Sequence, residues 1–402
     1  MKIKPRKTKE IKNIIKNQLA ISSIYYLLEC IDYHVLSCDL LHILQPQQQS
    51  TTKKKIKIML RKWIGATVPL AMSYAYVTHE RRPFSPLADP NLYPHNDHEL
   101  LSPSDRTQPI SEIFRSFRQD SISSNLMRSF TLSAITGLCR FYLSSCDVNI
   151  QGLDQFHAIL QQSWPTLQED SKTTTTSRPV LTVSNHMSTL DDPIILSRIA
   201  PMSCLSNVER HRWGGCSEEI CFASKTAASF FGSGKILPIW RGGGLKQEMF
   251  QELAMHLRPG SWVHVFPEGC ICQNHFNRSS TASRRREYMR WGVGKMIAKA
   301  KIRPVIVPFY HDGMDLALPL EDGSGTMIRA IPKLGVKVNV IFGTPINVDD
   351  LLDAYETKHG RDELDNKEWN VKENEDTLQL YKEITKRIQM KMEELDPRPL
   401  YR

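Results

Sequence analysis

A chain of 402 residues, 41% of them hydrophobic, is long enough to bury one large core or two smaller ones. Its 52 lysines and arginines against 43 aspartates and glutamates leave a net charge of +9, which suits an anionic partner: a lipid headgroup, a phosphorylated substrate or nucleic acid. Nucleic acid is disfavoured because the basic residues are dispersed and not interleaved with stacking aromatics, and nine scattered cysteines argue against a disulfide framework and for a reduced setting.

The first twenty residues carry seven lysines or arginines and one acid, Glu10, without the apolar centre of a signal peptide, so they read as a solvated basic tail or a mitochondrial address. From Ile14 to Leu44, Ile24, Leu28, Ile31 and Val35 recur at helical spacing, which predicts one or two amphipathic helices. Gln45 to Lys55 is a low-complexity linker, and residues 78–124, rich in proline, serine, aspartate and histidine, form a second. Between them Trp63 to Val77 is uncharged but holds Gly65 and Pro69. It falls short of the ~18–20 apolar residues that span a bilayer, so it is an interfacial segment or a core helix. Residues 1–125 are therefore an N-terminal extension of amphipathic helices and linkers.

Residues 126–146 form a further helix. Met127, Phe130, Ala134, Leu138 and Phe141 step by three or four, interrupted by Arg128 and Arg140. Such a helix either lies in a membrane interface with its arginines at headgroup level or packs on the domain.

The main domain is expected over residues 147–402. Pro179 to Val183, Lys235 to Ile239, Trp262 to Phe266, Val305 to Phe309 and Val336 to Phe342 are strand-like runs, alternating with helical or loop stretches. That alternation predicts an α/β domain with a mixed, largely buried sheet flanked by helices. Pro308 places its strand at an edge or a bend. The stretch Ser171 to Ser177 is a loop, and Tyr381, Ile384, Ile388, Met392 and Leu395 line one face of a closing core helix.

Chemistry is concentrated just after the first of these strands, in Val183-Ser-Asn-His-Met-Ser-Thr-Leu-Asp-Asp-Pro193. On a continuous helix, five steps of about 100° leave His186 and Asp191 roughly 140° apart, so they meet only if a turn intervenes. Ser188 with Asp191 offers a capping box and Asp192 before Pro193 a helix start. An imidazole at a strand-to-helix junction can take a proton from an alcohol, while a carboxylate on its other nitrogen holds the tautomer. The pair alone is a weak signal. Cys270, Cys272 and His275 lack the fourth ligand of a structural zinc site, so no metal is expected.

Three further blocks follow in order. Gly234-Lys-Ile-Leu-Pro-Ile-Trp-Arg241 places an arginine after an apolar strand, Phe266-Pro-Glu-Gly269 ends the next strand with a carboxylate in a turn, and Val305-Ile-Val-Pro-Phe309 is a proline-bearing strand. With the His-x-x-x-x-Asp block, this series resembles the glycerolipid acyltransferase family. Asn185-His-x-x-x-x-Asp-Asp-Pro193, Glu219-Ile-Cys-Phe222, Trp262-Val-His-Val-Phe-Pro-Glu-Gly269, Arg290-Trp-Gly-Val-Gly294 and His311-Asp-Gly-Met314 narrow the likeness to one branch of it, over roughly residues 126–345.

The resemblance implies a glycerol-3-phosphate-acyltransferase-like fold and a membrane-surface enzyme. Members of that branch exchange acyl chains between a phospholipid and monolysocardiolipin, with neither coenzyme A nor another soluble cofactor, on mitochondrial membranes facing the intermembrane space. It implies His186 as general base and Asp191 as its orienting partner. Arg241 would hold a headgroup phosphate, Glu268 and Gly269 would shape the acceptor pocket, and Lys235 and Asn185 are further substrate-binding candidates. The same blocks serve coenzyme-A-dependent acylation of lysophospholipids or 1-acylglycerol-3-phosphate. The basic loop Cys270 to Arg286 and the extension before residue 110 depart from the family pattern.

Overall fold

The computed structural model describes residues 122–164, 177–222, 225–239, 244–273, 289–320, 328–329, 332–365, 369 and 373–396, all within the unit His79–Arg402. The helices and linkers expected over residues 1–121, Arg241, His275 and the basic loop with Arg284, Arg285 and Arg286 lie outside the described residues.

In chain order the longer elements are α1 (Ile122–Ser144), β1 (Asp147–Gln151), α2 (Leu153–Ser163), β2 (Val180–Ser184), α3 (Asp191–Ile199), β3 (Gly214–Ser217), α4 (Lys225–Ser233), β4 (Ile236–Ile239), α5 (Glu248–Met255), β5 (Trp262–Val265), α6 (Gly292–Ala298), β6 (Val305–Asp312), β7 (Lys337–Phe342), α7 (Asp349–His359) and α8 (Glu375–Leu395). Five strands form a sheet in the order β1-β7-β6-β2-β5, parallel except for the β6–β7 pair. β3 and β4 form a parallel pair of their own, joined to β5 by a bridge between Trp213 and Val263. This is the mixed α/β sheet flanked by helices that the alternating strand runs predict.

The period-2 geometry of a strand sorts neighbouring side chains onto opposite faces. Val180, Trp262 and Val307 pack with Phe156 and Leu160 of α2 and Ile195 and Ile199 of α3. Leu181, Val263 and Ile306 pack on the other face with Met296, Leu352, Tyr381, Ile384 and Ile388. With helices on both faces, every residue of β2 is buried, Thr182 and Ser184 included. Each fully buried aliphatic side chain here contributes about 1.5–3 kcal/mol. The closing helix α8 starts at Asn374, whose Oδ1 accepts the Thr377 N–H at 2.7 Å. It lies so close to α6 that a Cβ on Gly294 would sit 2.2 Å from the Tyr381 carbonyl oxygen. That close approach explains the second glycine of Arg290-Trp-Gly-Val-Gly294.

α1 packs on the domain through Leu132, Cys139, Tyr142 and Leu143. Arg128 is buried, and the Arg140 guanidinium donates to the Ser197 and Ala200 carbonyls. Ala134, Leu138 and Phe141, the stripe expected to be its apolar face, are left half-buried. Among the described residues no helix is long and apolar enough to cross a membrane.

Three sequence expectations need correction. β6 is a central strand, not an edge: Pro308 is tolerated there because β7 ends at Phe342, opposite Phe309, so Pro308 needs to offer only its carbonyl, to the Gly343 N–H at 2.9 Å. β1 and β3 lie outside the expected strands, because Asp-Val-Asn-Ile-Gln is a half-exposed edge and Gly-Gly-Cys-Ser has no strand propensity. Finally, Cys216 and Cys221 form a disulfide across the short turn after β3, where the cysteine pattern argued for reduced thiols.

Candidate active site

The carboxyl ends of the parallel strands β2, β5 and β6 converge, which is where open α/β sheets place their ligands. Asn185 follows the end of β2 and is fixed to β6. Its side-chain N–H donates to the His311 carbonyl at 2.8 Å, its Oδ1 accepts the His311 N–H at 2.9 Å, and its own carbonyl meets His311 Nε2 at 3.0 Å. From that fixed point the chain turns outward and presents His186.

His186 Nδ1 and Asp191 Oδ2 are 2.9 Å apart. The required turn is built by the same carboxylate oxygen, which accepts the Met187 and Ser188 N–H groups at 2.6 and 2.8 Å. This is the backward half of the capping box expected between Ser188 and Asp191. Asp192 then leaves the helical region, with φ −101° and ψ 105°, and α3 runs on from Pro193. The carboxylate is buried, at 1% exposure, while the imidazole is 19% exposed, so the pair is open on the histidine side alone.

The remaining contacts hold the ring and its loop. Phe266 stacks on His186 with centroids 4.1 Å apart. Glu268 Oε2 accepts the His186 N–H at 3.0 Å, and the Cys272 N–H donates to the His186 carbonyl at 2.7 Å. Gln273 donates to the Met187 and Leu318 carbonyls at 2.8 and 2.9 Å. Glu268 thus holds His186 by its backbone, and Gly269 provides the positive φ of +68° that the Phe-Pro-Glu-Gly turn needs.

Two further imidazoles, His264 and His311, lie buried beneath the site. Burial holds His264 well below the usual histidine range and lowers His311, with the neighbouring positive groups adding to the effect on His264. His311 Nε2 lies 3.6 Å from Asp191 Oδ2, so two histidines flank that carboxylate, and of the three imidazoles His186 alone is not buried.

The structure therefore brings together His186, Asp191, Asn185, Glu268 and Gly269. Lys235 is elsewhere: fully buried, it donates from Nζ to the carbonyls of Val208, Glu209 and His211 at 2.9, 3.2 and 2.8 Å and lies over the Trp213 ring. Burial brings its ammonium down to about 7. Arg241 lies outside the described residues. Sequence reasoning missed Phe266 as the stacking partner, the lock of His311 on Asn185, and Arg212, which pairs with Asp192. The blocks His311-Asp-Gly-Met314 and Phe266-Pro-Glu-Gly269 were the available signals, for His311 and Phe266.

An imidazole oriented by a buried carboxylate, with its second nitrogen available, can act as a general base toward a hydroxyl that a substrate supplies. An acyltransferase family profile matches residues 149–312, a span that includes His186, Asp191, Glu268 and His311. A Dictyostelium discoideum protein named "Taffazin" is 30% identical over 230 residues, 56% of this chain and 71% of that protein. The Arabidopsis thaliana "N-acylphosphatidylethanolamine synthase" is 36% identical over 171 residues, 42% of this chain and 57% of that one. The Drosophila melanogaster "Tafazzin" is 32% identical over 174 residues, covering 43% of this chain and 42% of its own.

Proposed function

The chain belongs to the tafazzin family of glycerolipid acyltransferases, and on that premise we propose that it is a coenzyme-A-independent transacylase that remodels cardiolipin by moving an acyl chain from a phospholipid to monolysocardiolipin. The observation that carries the reading is the His186–Asp191 hydrogen bond at the open end of β2. The acceptor hydroxyl gives its proton to His186 Nε2 as its oxygen adds to the donor's ester carbonyl. Collapse of the tetrahedral adduct breaks the bond to the donor glycerol oxygen, which takes the proton back from His186. The buried Asp191 carboxylate stabilises the imidazolium between the two steps. No cofactor is consumed, because one ester is exchanged for another.

Arg241 is the proposed headgroup ligand, a fork suited to phosphate. The net charge of +9 and the half-buried stripe Ala134, Leu138 and Phe141 support work at an anionic membrane surface. The proposed location is a mitochondrial membrane, facing the intermembrane space. The Cys216–Cys221 disulfide supports a compartment outside the reducing cytosol.

The match to the plant enzyme favours a second reading, in which the acceptor is the amine of phosphatidylethanolamine and the product an amide. One experiment separates these. Purified protein is incubated with acyl-labelled phosphatidylcholine in vesicles holding monolysocardiolipin and phosphatidylethanolamine, without acyl-CoA. Label in cardiolipin is expected. Label in N-acylphosphatidylethanolamine favours the second reading, and transfer that needs acyl-CoA favours a coenzyme-A-dependent lysophospholipid acyltransferase.

A further inference from the structure

We infer that Arg212 is a positioning residue for the reaction, acting through Asp192 to hold the kink that turns Asp191 onto His186. The inference rests on the reading of His186 as the base.

Neighbouring side chains on extended backbone point to opposite sides. Asp192 is the extended residue inside α3, so Asp191 faces back to His186 while the Asp192 carboxylate faces away. There it meets the Arg212 guanidinium, which pairs with Asp192 Oδ1. Both groups are largely buried, with side chains 5% and 12% exposed. The second arm of the fork donates to the Gly234 carbonyl at 2.9 Å.

That arm ties the kink to the β3–β4 pair. The Gly214 N–H donates to the Lys235 carbonyl, and Lys235 Nζ donates to the carbonyl of His211, next to Arg212. Gly214 closes the arrangement from one side, where a Cβ would lie 3.2 Å from Asp192 Oδ2. If residue 192 instead continued the helix, Asp191 would rotate with it and leave the Nδ1 nitrogen. Pro193 disfavours helical backbone at residue 192 but does not choose the direction of its side chain. The Arg212 fork does, because a buried carboxylate has to find its counter-charge.

The test uses the full chain in the vesicle assay. Arg212→Met with Asp192→Leu replaces the buried ion pair by apolar side chains, which is compatible with folding where a lone charge is not. Its melting temperature should stay within a few degrees of wild type, while kcat falls at least ~10-fold, toward the ~100-fold that an ångström of misplacement costs. KM should not change. Asp192→Asn, which keeps an oxygen for Arg212, should fall between the double variant and wild type. In a His186→Ala background none of these changes should lower the residual rate further.

Wild-type kcat in the Arg212→Met/Asp192→Leu chain overturns the inference, as does a loss carried by KM or one that persists in the His186→Ala background. A crystal structure of the double variant reads the same relation without substrate: the residue 186 to 191 hydrogen bond should be broken, and its survival overturns the inference. A wild-type chain inert toward every acceptor strikes the functional reading instead.

Discussion

Asn185 and His311 hold each other by three contacts of 2.8, 2.9 and 3.0 Å, and both polar atoms of the Asn185 amide are used on the backbone of β6. One orientation of the amide satisfies both, so its assignment is fixed by its partners.

Both polar atoms of the Asn185 side chain are engaged on β6, the arrangement of a strut. Asn185→Ala strands a buried N–H and a buried carbonyl, at about 1–3 kcal/mol each. A lower melting temperature and a lower kcat with unchanged KM are expected from thermal melts and vesicle kinetics. A stable variant with raised KM would return Asn185 to the substrate.

Asp191 builds the turn and, in the proposed mechanism, stabilises the imidazolium, and substitution can separate the two. Asn at this position keeps an oxygen for the Met187 and Ser188 N–H groups but loses the charge that stabilises the imidazolium. Asp191→Asn should melt near wild type and lose about 10²–10⁴ in kcat. Asp191→Ala should lose the turn as well and melt earlier. Equal melting of the two variants would show that the carboxylate does not build the turn.

The sequence announces what depends on local pattern. Val180, Leu181 and Val183, or Val305, Ile306 and Val307, are apolar and β-branched enough to declare buried strands, and the angular mismatch between His186 and Asp191 states that a turn must exist. It does not state which groups make that turn, because the Met187 and Ser188 amides are common to every residue type. Lys235 and Asn185 were legible as polar residues beside a motif, but their partners are backbone atoms brought from residues 208–211 and 311. Backbone partners leave no trace in composition, so such struts read as ligands until the fold is known. Arg212 was hidden for a different reason: its partner, the Asp192 carboxylate, is a side chain brought from twenty positions away.

Buried histidines set the acid limit of stability. His211, His264 and His311 are all held below the ordinary histidine value, chiefly by burial. Below pH ~6.5 the unfolded chain takes up protons at these positions and the folded chain does not, so stability falls as the pH falls. Lys235 acts with the same sign higher up. Its folded value is about 7 against 10.5 when unfolded, so between these limits the unfolded chain again holds the extra proton and stability rises with pH. Melting temperature should drop from pH 7 to 5, and the difference between wild type and Lys235→Met should widen from pH 7 to 9. Flat profiles in both ranges would contradict this account.

The disulfide gives the last expectation. Cys216 and Cys221 are five positions apart, and chain entropy credits so short a loop with about 2 kcal/mol. Cys221 is buried and Cys216 is packed against the core, so the bond braces β3 from inside, on the strand that follows Arg212. Reduction should therefore lower the melting temperature by about 4–8 °C in a domain of this size. The Cys216→Ser/Cys221→Ser chain should start from the lower value and ignore reductant. If β3 supports the Asp192 kink, the reduced protein should also lose kcat without a change in KM. A wild-type chain whose melting is the same with and without reductant would mean that the two sulfurs carry no structural tension across the turn, and that β3 is held by its pairing with β4 alone.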